Sequence, residues 1–253
     1  MNTLTKSLKQ EILLKESIQE RLEILKDKFA DKKAVILAPG PSLNEYDLSV
    51  LDNRDDIVIL SIKQAYDKIK GQSDFHVVNT YNFDKYNGYD YEHLDSIIFY
   101  GLSQSFVKEQ MEKLAIKPHP VDIWVPVINP PSISYQDTIH KSADFDKFFM
   151  LQKDTKTTWG TSILYEQAIP MAFLLGCKEI ITIGWDLGTG KHSYDDNSVT
   201  FKVNSPEEQM TQDSIDTTPQ LYDWLTDKGF TLKICSSTNP ADKRFERIEP
   251  CQI

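Results

Sequence analysis

The sequence predicts an α/β protein: a single Rossmann-like, doubly wound and mostly parallel sheet with an N-terminal helix. Three observations carry that expectation. Short apolar runs recur without polar alternation, as in strands buried on both faces, at residues 34–38 (AVILA), 57–61 (IVILS), 75–79 (FHVVN), 96–100 (SIIFY), 179–184 (EIITIG) and 230–235 (FTLKIC). Stretches of helical composition lie among them at 107–115, 161–175 and 219–228, and strands alternating with helices imply right-handed crossovers. The 253 residues are 40% hydrophobic, with 12 Phe, 11 Tyr and 4 Trp, enough for one sizeable core.

The first thirty residues form a unit of their own, so the chain divides into 1–30, an amphipathic helix, and 31–253, the Rossmann-like domain. Residues 4–29 lack Gly and Pro and alternate Glu with Lys, while Leu4, Leu8, Ile12, Ile18, Leu22, Leu25 and Phe29 recur at near-helical spacing. Glu11 and Lys15 interrupt the seam, which argues against a long coiled coil. The helix packs on its own domain in one reading and forms a homo-oligomer in the other. Pro170 predicts a kink or boundary in the stretch 161–175, because proline removes a backbone donor. Residues 118–156, with five prolines, form the irregular part and read as a lid or binding loop.

Four motifs fall where parallel strands end, the edge at which α/β proteins bind ligands. After the first run comes Ala38-Pro39-Gly40-Pro41-Ser42-Leu43. Gly40 permits a tight turn, Ser42 can cap a following helix, and the turn either offers N–H groups to an anion or only joins strand to helix. It is neither a GxGxxG nor a P-loop sequence. Asn79 ends the third run and either reads a base or ribose with its amide or forms a turn. Thr158, Gly160, Thr161 and Ser162 precede an apolar helix and bind phosphate or cap it. The fourth motif is Gly184-Trp185-Asp186-Leu187-Gly188, which runs on to His192 and Tyr194. Asp186 is placed in the crevice, His192 is a base or a solvated loop residue, and Tyr194 offers a phosphate-binding hydroxyl.

Taken together, the GPSL turn, the VVN strand end, and LLGCKEIITIGWDL followed by KHSY resemble the bacterial family 42 sialyltransferases. They also resemble the related domain-of-unknown-function-115 proteins, which include flagellin nonulosonate transferases (motility accessory factors) and hydroxymethylpterin diphosphokinases. The resemblance spans about residues 33–240, since FTLKICSSTNP matches the late strand and its loop. It implies one Rossmann-like domain that binds a CMP-sugar without metal. It puts Gly40, Ser42 and Tyr194 near the nucleotide phosphate, Asn79 near nucleotide or sugar, and Thr158, Gly160 and Thr161 beside the donor. The sialyltransferases carry a general-base histidine where this chain has Gln212, Asp213 and Asp216. His192 instead matches the histidine after the Asp-Leu pair of the domain-115 proteins.

The expected function is transfer of a nucleotide-activated sugar, a CMP-linked nonulosonate being the favoured donor, to a glycan or protein acceptor in surface glycan synthesis. His192 and Asp186 are the expected catalytic residues. Gly40, Pro41, Ser42, Asn79, Thr158, Gly160, Thr161, Ser162, Gly184 and Tyr194 are the expected binding residues. No cofactor or metal is expected, the nucleotide sugar being the substrate. The alternatives are pyrophosphate transfer from ATP to a hydroxymethylpterin, for which Asp186, Asp195 and Asp196 would have to hold Mg²⁺, and non-catalytic nucleotide binding. A net charge of −10 argues against a nucleic-acid partner. No apolar run reaches the ~20 residues of a membrane span. Cys177, Cys235 and Cys251 form no metal or disulfide pattern, so the thiols are expected to be free and the protein cytoplasmic.

Overall fold

A computed structural model describes residues 3–69, 72–79, 96–103, 123–127, 138–149, 163–188, 192–193, 206–236 and 239–253. Among the described residues, eight strands form one sheet: β1 (Lys33–Leu37), β2 (Ile57–Ile62), β3 (Phe75–Asn79), β4 (Ile97–Ser103), β5 (Ile123–Val127), β6 (Glu179–Ile183), β7 (Thr231–Cys235) and β8 (Glu246–Arg247). Their spatial order is β5-β4-β3-β2-β1-β6-β7-β8. Every neighbouring pair is parallel, which confirms the doubly wound sheet.

Both faces of the sheet are covered, which is why its strands read as continuous apolar runs. Ala34, Ile36, Val58, Leu60, Phe75, Val77, Ile180 and Ile234 belong to one buried cluster. This face receives α1 (Thr3–Leu13), α2 (Ile18–Leu25), α3 (Ile139–Ser142), α4 (Phe145–Phe148), α5 (Ile169–Leu174) and α7 (Thr218–Asp227). The alternate residues Val35, Leu37, Ile57, Ile59, Ile181, Ile183 and Cys235 face the other way, onto Leu43, Leu51, Ile248 and Ile253. Helix α6 (Pro206–Asp216) leads directly into α7.

Four features differ from the sequence reading. The N-terminal segment is two helices. Ser17 accepts from the Glu20 N–H at 3.2 Å and the Glu20 carboxylate accepts from the Ser17 N–H at 3.1 Å, a capping box that restarts the helix just past the seam break at Lys15. Strand β5 lies inside the proline-rich stretch; Pro126 is tolerated because β5 is the outermost strand among the described residues. Helix α6 and the two-residue β8 were also not expected. At Pro170 the expected boundary appears as a change from a π-helical turn (Ile163–Ala168) to α5. The helix expected at 107–115 lies outside the described residues.

Helix α1 is fastened to its own sheet. Leu8 and Ile12 are buried, Thr5 Oγ1 donates to the buried Asp74 carboxylate at 2.5 Å, and Lys9 Nζ donates to Ser96 O at 2.7 Å. Cys177 and Cys235 are buried free thiols, and burial pushes both up to about 12. Cys251 is exposed.

Candidate functional site

The strand order reverses between β1 and β6, because β1 is followed outward by β2 on one side while β6 and β7 extend the other. Ligands of open α/β sheets bind beyond the carboxyl ends of the strands at such a switch point. Here the exits of β1 and β6 are locked together. Ala38 N–H donates to Ile183 O at 2.8 Å, and Gly40 N–H donates to Gly184 O at 2.9 Å. A Cβ on Gly40 would stand 2.2 Å from Gly184 O and 2.6 Å from Asp186 Oδ2. A Cβ on Gly184, whose φ is +75°, would stand 2.2 Å from Ala38 O. Neither position admits a side chain, so the two glycines are dictated by close backbone approach.

Asp186 crosses this junction. Its Oδ2 accepts the Ser42 N–H at 2.8 Å, and its Oδ1 accepts the Ser42 hydroxyl. Leu43 N–H closes back on Gly40 O at 3.1 Å, so Pro41–Asn44 is a 3-10 turn. Ser42 is buried within that turn and does not cap it; Gly40 stands at the cap position. The amides of Gly40 and Ser42, expected to face an anion, are thus engaged by Gly184 and Asp186. Leu187 follows at φ +48°, a left-handed conformation uncommon for a bulky side chain, and packs against the larger core cluster. At the next residue, Gly188, an added Cβ would meet nothing within 4 Å among the described residues.

His192 is exposed beside this junction. Its neighbour Ser193 is bound to the β1 exit at both backbone groups: its N–H donates to Pro39 O at 2.6 Å, and its carbonyl accepts from Asn44 Nδ2 at 2.8 Å. The structure therefore brings Gly40, Pro41, Ser42, Gly184, Asp186 and the His192–Ser193 pair to one place. Asn79 ends β3 in register with Gly101, two strands from β1 on the side away from β6. Thr158, Gly160, Thr161, Ser162 and Tyr194, and with them Asp195 and Asp196, lie outside the described residues.

Several neighbouring residues escaped the sequence reading. Asn44 and Tyr46 lie just past the GPSL run, which ends at Leu43. The half-buried Tyr46 phenol has its pKa raised by desolvation and then by the charges of Glu249, Cys235, Glu45 and Asp186, so it keeps its proton as a hydrogen-bond donor. Ser193 Oγ and, just past β7, Ser236 Oγ are buried hydroxyls without a hydrogen-bond partner among the described residues. Asn239, from the loop after β7, donates through Nδ2 to Trp185 O and so ties that loop to the residue before Asp186.

Asp213 and Asp216, which stand where the sialyltransferases carry their base, and the buried histidines are all structurally engaged. Asp213 is buried and accepts from Lys141 Nζ at 3.3 Å and Gln209 Nε2 at 3.0 Å; Asp216 accepts from Gln212 Nε2 at 2.9 Å. His140 Nδ1 lies 2.6 Å from Ser214 Oγ, whose hydroxyl donates to Met210 O at 2.7 Å, so Nδ1 carries the hydrogen. His76 Nε2 lies 2.9 Å from Lys63 O, with its ring stacked on Tyr66 at 4.6 Å. Burial pushes both imidazoles down to about 4. Among the described residues, no group of three or more His, Cys, Asp or Glu is arranged to hold a metal ion, and no helix is long and apolar enough to cross a membrane.

No family model and no curated protein matches the chain. Among solved structures, the chain is similar to the sialyltransferase CST-II in complex with a trisaccharide acceptor and CMP, at 18% identity over 88% of each chain with a TM-score of 0.46. It is also similar to the sialyltransferase CstII from Campylobacter jejuni in complex with cytidine-5'-monophosphate, at 17% identity over 87% of this chain and 86% of that one with a TM-score of 0.45.

Proposed function

We propose that the chain is a glycosyltransferase that takes a nucleotide-activated sugar, a CMP-nonulosonate by the resemblance of its motifs, and transfers the sugar to a glycan or protein hydroxyl. The observation that carries this reading is the junction at the switch point, where Gly40, Ser42, Gly184 and Asp186 interlock and His192 is presented at the surface beside them. Transfer would break the bond from the anomeric carbon to the donor phosphate oxygen and form one to the acceptor oxygen, whose proton passes to His192. An exposed imidazole is a competent acceptor near neutral pH. The leaving phosphate would be met by hydroxyl donors, for which Ser193, Tyr46, Thr158, Thr161, Ser162 and Tyr194 are the candidates, rather than by the amides already engaged.

A thermal-shift screen against CMP, UDP, GDP and ATP, each with and without Mg²⁺, tests this reading. CMP is expected to stabilise the protein without Mg²⁺, by about 2.7 kcal/mol at a hundredfold excess over Kd. Stabilisation by ATP alone, and only with Mg²⁺, would overturn it in favour of pyrophosphate transfer.

A further inference from the structure

We propose that Asp186 and Asn44 are positioning residues, two clamps that hold the segment carrying His192 on to the turn after β1, with Asp186 acting through Ser42 rather than on a substrate proton. The segment between Asp186 and Ser193 starts and finishes on one turn. At its start both carboxylate oxygens of Asp186 are taken by Ser42, one by the N–H at 2.8 Å and the other by the hydroxyl. Gly40 packs against the same carboxylate so closely that a Cβ there would meet its Oδ2 at 2.6 Å. At its end Ser193 is gripped at N–H by Pro39 and at C=O by Asn44.

The two clamps differ in kind. Asp186 and Ser42 lie in the interior of the junction, and their contact links residues 144 apart in sequence. Asn44 is exposed, and its amide reaches over the turn to a single carbonyl. His192 is bonded in sequence to the residue that Asn44 grips, so that contact helps to fix the position of its backbone. A proton acceptor has to stand within about 3 Å of its proton, and a displacement of about 1 Å costs about a hundredfold in rate. Both oxygens of the Asp186 carboxylate are turned onto Ser42, whereas His192 stands exposed beside the turn.

The proposal rests on the reading of His192 given above, yet the clamps can be observed without it. The experiment is histidine-selective ¹³C NMR of the full chain, with the His192 signal identified by its loss in His192→Ala. Asn44→Asp removes the amide donor at nearly constant shape, and Ser42→Ala removes the hydroxyl. Both are expected to shift or broaden the His192 signal while leaving those of the buried His76 and His140 in place. With a donor in hand, Asn44→Asp is expected to lower kcat by about a hundredfold with the donor KM unchanged. An unmoved His192 signal in both variants overturns the clamps. Asp186→Asn that abolishes turnover and the acid limb of the pH profile while His192 stays unmoved makes Asp186 the proton acceptor instead; if that variant does not fold, Ser42→Ala reports on the same contact. A shifted His192 signal in a protein that binds no nucleotide sugar leaves the clamps standing and overturns the function.

Discussion

At the scale of single residues, two glycines and one carboxylate define the junction, and each makes a measurable demand. Gly40→Ala would put a methyl group 2.2 Å from Gly184 O, a backbone atom that can move only if β1 and β6 part. Overpacking of that kind typically costs about 1–3 kcal/mol, and the same change crowds Asp186. Its unfolding midpoint should fall by several degrees, and calorimetry that finds it unchanged would show that the β1 exit can yield to a methyl group. His192→Ala is the counterpart. The residue is exposed, so stability should stay within about 0.5 kcal/mol of the parent, while turnover is lost and nucleotide affinity, read by calorimetric titration, is kept. The residue types at this junction were legible in the sequence because Gly, Ser and Asp past a parallel strand announce a crevice. Their pairing was not: Ser42 and Asp186 are 144 residues apart, and nothing local in either motif shows that one spends the other's donors. Asn44 went unread for a related reason, since an asparagine in a turn has a sufficient local explanation.

At the scale of elements, the strands that were foreseen are those buried on both faces, where side-chain chemistry and backbone state agree. Strand β5 was missed because Pro126 argues against a strand until its edge position is known, and β8 because two residues hold no pattern. Helix α6 was missed because PEEQMTQDSID has almost no apolar stripe; it is held by polar contacts, Ser214 to His140 and Asp213 to Lys141. The N-terminal segment shows pattern and structure in fuller accord. Of its apolar positions, Leu8, Ile12, Ile18, Leu22, Leu25 and Phe29 are buried and Leu4 is exposed, and the helix restarts just past the interruption at Lys15. Because Ile12 is fully buried against its own sheet, Ile12→Ala should cost about 2–5 kcal/mol. The loss should be the same at every protein concentration. A midpoint that instead depends on concentration would show that the helix buries this side chain against a second copy.

At the scale of the whole molecule, the sheet divides the core into two faces, and each face encloses groups whose titration ties stability to pH. His76 and His140 are buried with imidazoles at about 4, against an ordinary value of 6.5, and desolvation is the main cause in both. The charged groups that offset it are Asp67 near His76 and Asp213 near His140, and neither reverses the direction. A group whose folded value is depressed in this way takes up its proton more readily in the unfolded chain. Between about pH 6.5 and pH 4 the unfolded state therefore binds more protons, and stability falls as pH falls, by roughly 3 kcal/mol for each histidine once both values are passed. On the alkaline side Cys177 and Cys235, pushed up to about 12 from an ordinary 9, ionise more readily when unfolded, so stability falls again as pH rises above 9. The expected profile is a plateau from about pH 6.5 to 9 with a loss on either side. Urea unfolding across that range tests it, with His76→Gln and His140→Gln as references. Each substitution should flatten the acid limb even though both lower stability on the plateau, because His76 stacks on Tyr66 and His140 joins α3 to α6. An acid limb equally steep in both variants would assign the pH dependence to the carboxylates, several of which are held below their usual range by hydrogen bonds at the surface, Asp56 by Arg54 and Asp242 by Arg244 among them.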